Sequence, residues 1–585
     1  MPPKKPKHTA TMKKWIFLLV SLCTCICCFS QKPKISWGDE FKLRKGSTDL
    51  DVVYADKTGV YLQESHLALK SYFVIGATMR TSGTIIKLDK NLQELYRNDF
   101  NKELKGKEFQ EFFMLQDKLL LISTDYSKRD KTLTLYAAEI DKNSGEISGD
   151  WQELASFQKD DKKDDIDFKI APNADSTKMI LVSTVSGREK NTYQVQEFDK
   201  TLKASGKPAT VTNEFDPKTF QLEDVLYTIN KKIILVGRIY EYEEGKKKKA
   251  KFLDFVNYNI RIYDNSGKQE VEVNTNINGK WLTSSKLVQE KDKDLVLAAF
   301  YSNEKKGKTV DGMLVQRIDP VTGKVLSTSE KEINNSLLSA AVEDSSSDDA
   351  DHDDESKAER KEREKLDKIR DEGEGFSKYM RFRNIFYTED RGVVLLAEKY
   401  HHYTYSSQSY SPGFNGMGGS WSTTTYSVYE CGDILMCKID ADGNINWLQV
   451  LPKAQREVTS EGSYGLWATS SFFDVGNRPF YAGFGAVQGN NSINIIFNDN
   501  TKNAGVTRPG QKVKTTNRFG KSDCYILSLN DVTGKYTRSQ FFSNKDVPTS
   551  MPRIGSVIGN NMYIVGKDDH ALGKTKIAVA KITMD

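Results

Sequence analysis

The chain has 585 residues and a formal net charge of +5, and its length allows several ordinary domains or one long repeat array. Five lysines and no acidic residue precede residue 30, so the rest of the chain is close to neutral. General nucleic-acid binding needs a basic face, and we therefore expect no nucleic-acid partner.

Residues 1–30 have the pattern of a signal peptide. A basic start precedes an apolar run from Trp15 to Phe29, and the small residues Cys28 and Ser30 precede a cleavage site before Gln31. The apolar run is short for a membrane span, which needs roughly 20 residues. We predict export to the periplasm, the outer-membrane surface or the medium, with no transmembrane span after cleavage.

Four of the seven cysteines lie within this signal segment. The exported body keeps Cys431, Cys437 and Cys524, an odd number in a large chain, which excludes a disulfide scaffold. We expect buried free thiols, and one disulfide that involves Cys524 is the alternative.

One sequence phrase recurs along the chain: an apolar strand, an acidic turn, and a second strand. Residues 433–447 show it most fully, because Asp442-Gly443 stands between two apolar runs, which is typical of a β-hairpin. Similar strands end at Asp89, Asp141, Asp199, Asp264, Asp319, Asp440, Asn530 and Thr583, and turn glycines follow five of them: Gly145, Gly267, Gly323, Gly443 and Gly534.

Each repeat contains four antiparallel strands, which predicts a β-propeller, an all-β fold. Eight four-stranded blades fit best, and seven is the alternative, since residues 50–90 hold material for five strands. The last repeat ends after its third strand, so we expect Ile35–Phe41 to supply the missing strand and close the ring. Residues 31–585 would then form a single propeller domain.

The long insertions are predicted to gather at one end of the ring. In a meander of strands a, b, c and d, the b–c connections and the d-to-a crossovers share one end, and the a–b and c–d turns share the other. The crossover at about residues 335–378 is highly charged and is expected to be partly disordered and partly helical. We take this crowded end as the candidate working surface, with drift of tolerant surface loops as the alternative. The long b–c connections are Glu241–Lys251, His401–Gly432 and Asn500–Ser522.

The connection at residues 401–431 is rich in aromatic residues set among Ser, Gly and Thr. Such a mixture resembles an antibody paratope, in which rigid aromatic anchors alternate with adaptable polar residues. The alternative is an extended hairpin whose aromatic side chains pair across the strands. The predicted binding residues are Tyr403, Tyr405, Tyr410, Phe414, Trp421, Tyr426 and Tyr429.

The sequence offers no catalytic constellation. No histidine stands in a metal-ligand spacing, and His401 and His402 are strand neighbours that point to opposite faces. No nucleophile elbow occurs, and carboxylates are too numerous to single out a glycosidase pair. We assign no catalytic residue, no metal and no cofactor.

Residues 432–453 and 492–503 carry a resemblance to secreted β-propeller proteins common in Bacteroidota. The first segment contains the hairpin phrase followed by Leu451-Pro452-Lys453, and the second contains Phe497-Asn-Asp-Asn-Thr-Lys-Asn503. The resemblance implies an envelope or surface location and supplies no active site.

These features predict an exported, non-catalytic propeller that binds an envelope protein or glycan through long loops on one face. The alternatives are a glycan-active propeller enzyme, either a hydrolase or a lyase, and a structural subunit of an envelope complex. Acidic and arginine side chains in a deep central pocket would favour the enzyme, whereas an aromatic surface built from loops would favour the binding protein.

Overall fold

The computed structural model describes most of the chain from residue 33 to residue 584. The predicted signal peptide at residues 1–30, the charged insertion 335–378, most of the connection 241–251 and Phe414 lie outside the described residues. The internal gaps are 45–46, 73–75, 160, 162–163, 174–175, 188–189, 215–218, 229, 243–252, 276–279, 290–293, 305–309, 334–379, 412–419, 462–478, 510 and 569–575.

The first half of the chain forms two leading strands and four sheets of four consecutive strands. The leading strands are β1 (Lys34–Trp37) and β2 (Phe41–Lys42). The sheets are β3 (Ser47–Asp56), β4 (Gly59–Tyr72), β5 (Gly76–Leu88), β6 (Glu94–Asp99); β7 (Glu108–Leu115), β8 (Lys118–Ser127), β9 (Thr132–Ile140), β10 (Gln152–Gln158); β11 (Asp165–Pro172), β12 (Met179–Ser186), β13 (Lys190–Phe198), β14 (Ala209–Glu214); and β15 (Phe220–Tyr227), β16 (Ile233–Tyr242), β17 (Leu253–Tyr263), β18 (Gln269–Asn274).

The second half forms four more sheets, together with 3-10 helices at Thr501–Asn503 and Phe519–Lys521. The strands are β19 (Trp281–Gln289), β20 (Leu295–Ser302), β21 (Gly312–Ile318), β22 (Val325–Glu332); β23 (Met380–Tyr387), β24 (Val393–Ser411), β25 (Ser420–Ile439), β26 (Ile445–Leu451) with β27 (Gln455–Glu461) as a fifth; β28 (Phe484–Gly489), β29 (Ser492–Asp499), β30 (Asp523–Asn530), β31 (Tyr536–Ser543); and β32 (Thr549–Ile558), β33 (Asn561–Asp568), β34 (Lys576–Thr583).

The hydrophobic core is divided among the seams between consecutive sheets. The second and third strands are buried on both faces, as in β20 and β21, whereas the fourth strand β22 is largely exposed. Sheets eight and one also share a core, in which Met551 and Val565 join Leu50 and Leu62. The seams therefore close into a ring, and the chain is an eight-bladed β-propeller, as the repeats predicted.

The N-terminal strand completes the last blade, as predicted. Strand β1 pairs antiparallel with β34, so that Ile35 lies opposite Ile582 and Trp37 opposite Ala580. Trp37 also packs edge-on against Phe542, with ring centroids 5.8 Å apart. Joining both ends of the chain in one sheet covers the edge that β34 would otherwise expose.

Blade one contains four strands, and two of them, β4 and β5, are unusually long.

The recurrent acidic turn and its glycine join five of the blades to the preceding one. Asp264 accepts hydrogen bonds from the backbone N–H groups of Ser266 and Lys268, both at 2.9 Å. Gly267 has φ +85°, and a Cβ there would lie 2.0 Å from the carbonyl oxygen of Thr210 in the outer strand of the preceding blade. The other four predicted turn glycines have the same environment: Gly145 against Tyr96, Gly323 against Val271, Gly443 against Ser327, and Gly534 against Trp447.

Cys431, Cys437 and Cys524 are free and buried, as expected for structural thiols. Burial raises the pKa of the Cys431 thiol to about 12, so it stays protonated and unreactive at neutral pH. No helix among the described residues combines the length and apolar character needed to cross a membrane.

Candidate functional site

A long hairpin projects from blade six at the end of the ring that carries the b–c connections. Strands β24 and β25 have 19 and 20 residues, whereas their neighbours β23 and β26 have 8 and 7. The pairing continues outward to Ser411, which lies opposite Ser420. Strand β27 pairs with Thr425–Cys431 of β25 and widens the projection to three strands. We call this three-stranded projection the platform.

The predicted aromatic residues occupy both faces of the platform. Tyr405 lies opposite Tyr426, and their rings stack at 5.0 Å with an interplanar angle of 17°. Tyr403, two residues before Tyr405, shares this face, and all three side chains are half-buried. Tyr429 lies on the opposite face, fully buried, and stacks on His402 at 4.4 Å. The aromatic residues therefore pair across strands, yet three of them retain accessible ring surface.

The remaining predicted residues are placed only by the backbone or not at all. Tyr410 lies opposite Trp421 in the strand register, and Phe414 is outside the described residues. The adjacent histidines diverge as predicted, since His401 approaches Glu430 at 3.5 Å while His402 stacks on Tyr429. Within the described residues, no group of three or more His, Cys, Asp or Glu is placed to hold a metal ion.

A buried charged cluster lies at the base of the platform, and the sequence analysis did not predict it. Glu398 is fully buried and accepts from Lys453 Nζ at 2.8 Å through Oε1. Its Oε2 meets Arg383 Nε at 3.1 Å and Arg553 Nη1 at 3.3 Å. Burial alone would raise the pKa of Glu398, but Lys453 and the two arginines outweigh burial and lower it. The carboxylate is therefore ionised and shared by three cations.

Irregularities in the innermost strands bring the two arginines to this carboxylate. Arg383 is the extra residue of a β-bulge in β23, and Arg553 lies where the pairing of β32 is interrupted. A Cβ on Gly483 would lie 2.7 Å from Arg553 Nη1, so the glycine leaves room for the guanidinium group. Bulges commonly re-aim a side chain next to a functional site. Blades six and eight thus contribute to one cluster across the start of blade seven.

Tyr400 connects this cluster to its surroundings. The guanidinium carbon of Arg383 lies 4.5 Å from the centroid of the Tyr400 ring, and that of Arg553 lies 5.1 Å from it. The ring of Tyr400 also stacks on Tyr429 of the platform at 6.5 Å. On another side it packs against a small apolar cluster that contains Phe519, a residue of the blade-seven connection. The charged cluster is therefore continuous with both the platform and that connection.

The connection 500–522, which we call the blade-seven loop, is held by buried polar side chains. Asp499 accepts from Asn503 Nδ2 at 2.8 Å and from Thr516 Oγ1 at 2.9 Å. Asp499 also forms a fully buried ion pair with Arg538 at 2.7 Å. Asn503 in turn accepts from the backbone N–H of Lys514 at 2.8 Å, across the loop. The Asn/Asp-rich phrase that starts the loop therefore fixes its shape.

The two buried glutamates of this region are committed to structural bonds. Glu398 neutralises cations, and Glu457 accepts from the backbone N–H groups of Phe480, Tyr481 and Ala482 at 2.8–2.9 Å. Burial raises the pKa of Glu457, and these three N–H groups oppose the rise. Neither carboxyl group is placed as a solvent-facing acid or base. The accessible side chains of the site are mainly aromatic and cationic, and Glu430 beside His401 is a partly exposed carboxylate among them; such a surface can bind a ligand.

No family model matches the chain, and no curated protein matches it. The solved structures similar to it include the β-propeller domain of the Trilobed protease from Pyrococcus furiosus, with 10% identity over 86% of this chain and 98% of that one, at a TM-score of 0.31. Polysaccharide lyase Uly1 matches with 9% identity over 94% of this chain and 100% of that one, at a TM-score of 0.32. Prolyl oligopeptidase B from Galerina marginata matches with 11% identity over 65% of this chain, at a TM-score of 0.26. The match covers only 38% of the length of that enzyme.

Proposed function

We propose that the protein is an exported, non-catalytic β-propeller that binds a protein or glycan partner at the cell envelope. The b–c end of blades six and seven would be the binding surface. The observation that carries the proposal is the platform, because β24 and β25 continue well beyond the blade that they belong to. A ring that needed only to fold would gain little from this extension.

The accessible face of the platform supports a role in recognition. Tyr403, Tyr405 and Tyr426 are half-buried on one face, and the stacked pair restrains two of the rings. Tyrosine supplies a large contact area with few rotatable bonds, and a restrained ring loses little entropy when a partner binds. Strand β27 stiffens the same region from its other edge.

The envelope location in this proposal comes from the sequence. Residues 1–30 have the composition of a signal peptide, and residues 432–453 and 492–503 resemble secreted propellers. Three free cysteines, all buried in the folded chain, are compatible with an exported protein that does not depend on disulfides.

The test replaces the stacked pair with Tyr405→Ser and Tyr426→Ser together. This double variant is sharper than deleting residues 403–430, because such a deletion would also remove buried Tyr429 and the strand that β27 pairs with. Tagged protein would be used to capture partners from envelope extract, followed by quantification of the captured proteins and glycans. Capture by the double variant should fall about tenfold or more, since aromatic anchors dominate many interfaces.

The control is Tyr126→Ser, which removes an exposed tyrosine from the blade-two hairpin. This variant should capture the same partners in the same amounts as the unmodified protein. If the Tyr405→Ser/Tyr426→Ser variant also captures unchanged amounts while remaining folded, the platform is not the binding surface and the proposal fails.

A further inference from the structure

We propose that the ligand of this end is an anionic glycan, whose carboxylate or sulfate groups bind the blade-seven loop and the arginine pair Arg383–Arg553. This inference rests on the proposed function, because it places the ligand at the same end of the ring, and it narrows the chemical class of the partner. Three independent observations support it: the charge of the loop, the rigidity of the loop, and the state of the arginines.

The blade-seven loop concentrates positive charge on a chain that is otherwise close to neutral. Between Asn500 and Ser522 there are six cationic residues and no acidic residue. The two carboxylates that flank the loop, Asp499 and Asp523, are both buried, and Asp499 is neutralised by Arg538. An anion near this loop therefore meets a positive potential that no carboxylate of the loop itself opposes. The six residues are Lys502, Arg508, Lys512, Lys514, Arg518 and Lys521, of which Lys502, Arg508, Lys512 and Lys521 are exposed.

The loop presents these charges from a fixed backbone. Asn503 and Thr516 tie its two limbs to Asp499, and Phe519 stacks on Tyr481 with ring centroids 5.6 Å apart. A basic tail would have to be ordered when an anion binds, at a cost in conformational entropy. The blade-seven loop is ordered beforehand, so its cations are arranged as a binding surface is.

The arginine pair has binding capacity that the protein does not use. Glu398 is the carboxylate that Arg383 and Arg553 contact, and it is also bonded to Lys453. Arg383 Nη2 is buried and has no hydrogen-bond partner, although a buried donor without an acceptor is costly. The side chains of Arg383 and Arg553 are 22% and 15% exposed, although the Nη2 atom of Arg383 itself is buried. Three cations share the single charge of Glu398, so the cluster keeps a net positive charge that a carboxylate or sulfate can pair with.

The arginine pair and the loop adjoin each other. Tyr400, which lies against both guanidinium groups, and Tyr481 both pack on the cluster of Cys431, Ala482 and Phe519. Phe519 stands between Arg518 and Gly520 in the loop, next to one of its cations. A single extended ligand with repeated negative groups can therefore contact the loop and the arginine pair together.

Aromatic rings beside the arginine pair favour a glycan over an acidic peptide. Tyr400 and Tyr481, both half-buried, offer ring surface next to the guanidinium groups and Phe519, whereas Tyr403, Tyr405 and Tyr426 lie on the other face of the platform. The apolar face of a pyranose stacks on such rings, while its carboxylate or sulfate pairs with arginine or lysine. Uronate and sulfated polysaccharides combine both features in every repeating unit.

The experiment measures binding of the purified protein to immobilised alginate, a polyuronate, and to dextran sulfate, with neutral dextran as the reference polymer. A loop variant carries Lys502→Gln, Arg508→Gln, Lys512→Gln and Lys521→Gln. A matched variant carries Lys90→Gln, Lys200→Gln, Lys324→Gln and Lys535→Gln, four exposed lysines in c–d turns at the opposite end of the ring. Both variants lose the same net charge, so only the position of the charge differs.

We expect the unmodified protein to bind at least one acidic polymer and not neutral dextran. The loop variant should bind that polymer at least about tenfold more weakly, because it loses four exposed ion pairs and each contributes a small part of the binding free energy. The matched variant should remain within about twofold of the unmodified protein, and higher salt should weaken binding through screening. Failure to bind either acidic polymer, or equal losses in the two variants, would overturn the inference.

Two further probes separate the glycan from other anions and from the platform itself. Poly-glutamate or single-stranded DNA bound as tightly as the acidic polysaccharides would overturn the assignment to a glycan. The Tyr405→Ser/Tyr426→Ser variant is assayed on the same polymers. If only the loop variant loses binding, the glycan inference stands and the platform proposal fails. If only the tyrosine variant loses its envelope partners, and no acidic polymer binds, the platform stands and the glycan inference fails.

Discussion

The two ends of the ring are built on different principles. At the end with the a–b and c–d turns, one device recurs: an Asp or Asn that caps a tight turn, and a glycine that touches the outer strand of the preceding blade. At the other end the connections differ in length and composition from blade to blade, and blades six and seven carry the longest described ones. The regular end secures the seams between blades, and this leaves the irregular end available for a ligand.

The largest loss of stability that we predict concerns Glu398, which lies at the irregular end. The irregular end would therefore also contain one contact that the fold requires. Glu398→Gln removes the charge that three cations share and leaves fully buried Lys453 without its counterion. Breaking a buried ion pair from one side costs about 3–5 kcal/mol, so the free energy of unfolding should fall by that order in urea titrations. The exposed Glu153→Gln should leave it unchanged. A Glu398→Gln variant as stable as the unmodified protein would show that the cluster is not structurally required.

A smaller effect should appear at the regular end. Gly534→Ala forces a non-glycine residue to φ +69° and places a methyl group 2.6 Å from the indole of Trp447. We expect a loss of about 2 kcal/mol in unfolding free energy, from backbone strain together with the clash between blades. Gly106→Ala is the matched control, because Gly106 has φ +87° and nothing within 4 Å of the added methyl. Equal losses in the two variants would mean that the contact between blades contributes nothing.

The regular end should also show a pH dependence with a defined sign. The pKa of Asp390 is lowered to about 2. Burial alone would raise this pKa, but the hydrogen bonds from Lys438, Thr388 and the N–H of Gly392 outweigh burial. A lowered folded-state pKa stabilises the fold above the unfolded value of about 4, and the stabilisation is lost as pH falls toward 2. Asp390→Asn should therefore lower the melting temperature at pH 6 and converge with the unmodified protein near pH 2. Since Asp390 is half exposed, the difference in melting temperature should be small. A difference that stays the same at every pH would show that the ionisation of Asp390 does not contribute to stability.

The smallest effect on stability should come from the platform itself. Tyr405→Ser with Tyr426→Ser removes a cross-strand aromatic pair that lies beyond the sheet of blade six, and such pairs contribute about 0.2–1 kcal/mol. The melting temperature should change by no more than a few degrees, as measured by circular dichroism. A large decrease would mean that the platform supports the ring, and the separation between the two ends would then be wrong.

The same contrast explains what the sequence could reveal. The strand phrases, the turn glycines and the closing strand at Ile35–Phe41 were predictable, because each depends on a local pattern that recurs. Pairing of the aromatic residues across the strands of an extended hairpin was anticipated as one alternative, and the structure identifies Tyr405 and Tyr426 as such a pair. The assignment of the aromatic residues to a binding surface stays a prediction.

The charged cluster was not predictable, because it depends on ring geometry. Arg383 and Arg553 are distant in the sequence and lie two blades apart, and they meet only because bulges in both inner strands re-aim them. Strand β27 was missed for a related reason: Gln455–Glu461 contains Val458 as its single apolar residue, so it lacks the alternation of a half-buried strand. Its position is set by the long partner β25, which offers an edge to pair with.

The most direct test of the account is to ask which end of the ring a partner touches. A photocrosslinking amino acid would be placed at position 405 on the platform or at position 200, in the c–d turn of blade three, and the cells would be irradiated. We predict crosslinked adducts from position 405 and none from position 200. Adducts from position 200 alone would show that the regular end binds the partner, and the central claim would be wrong.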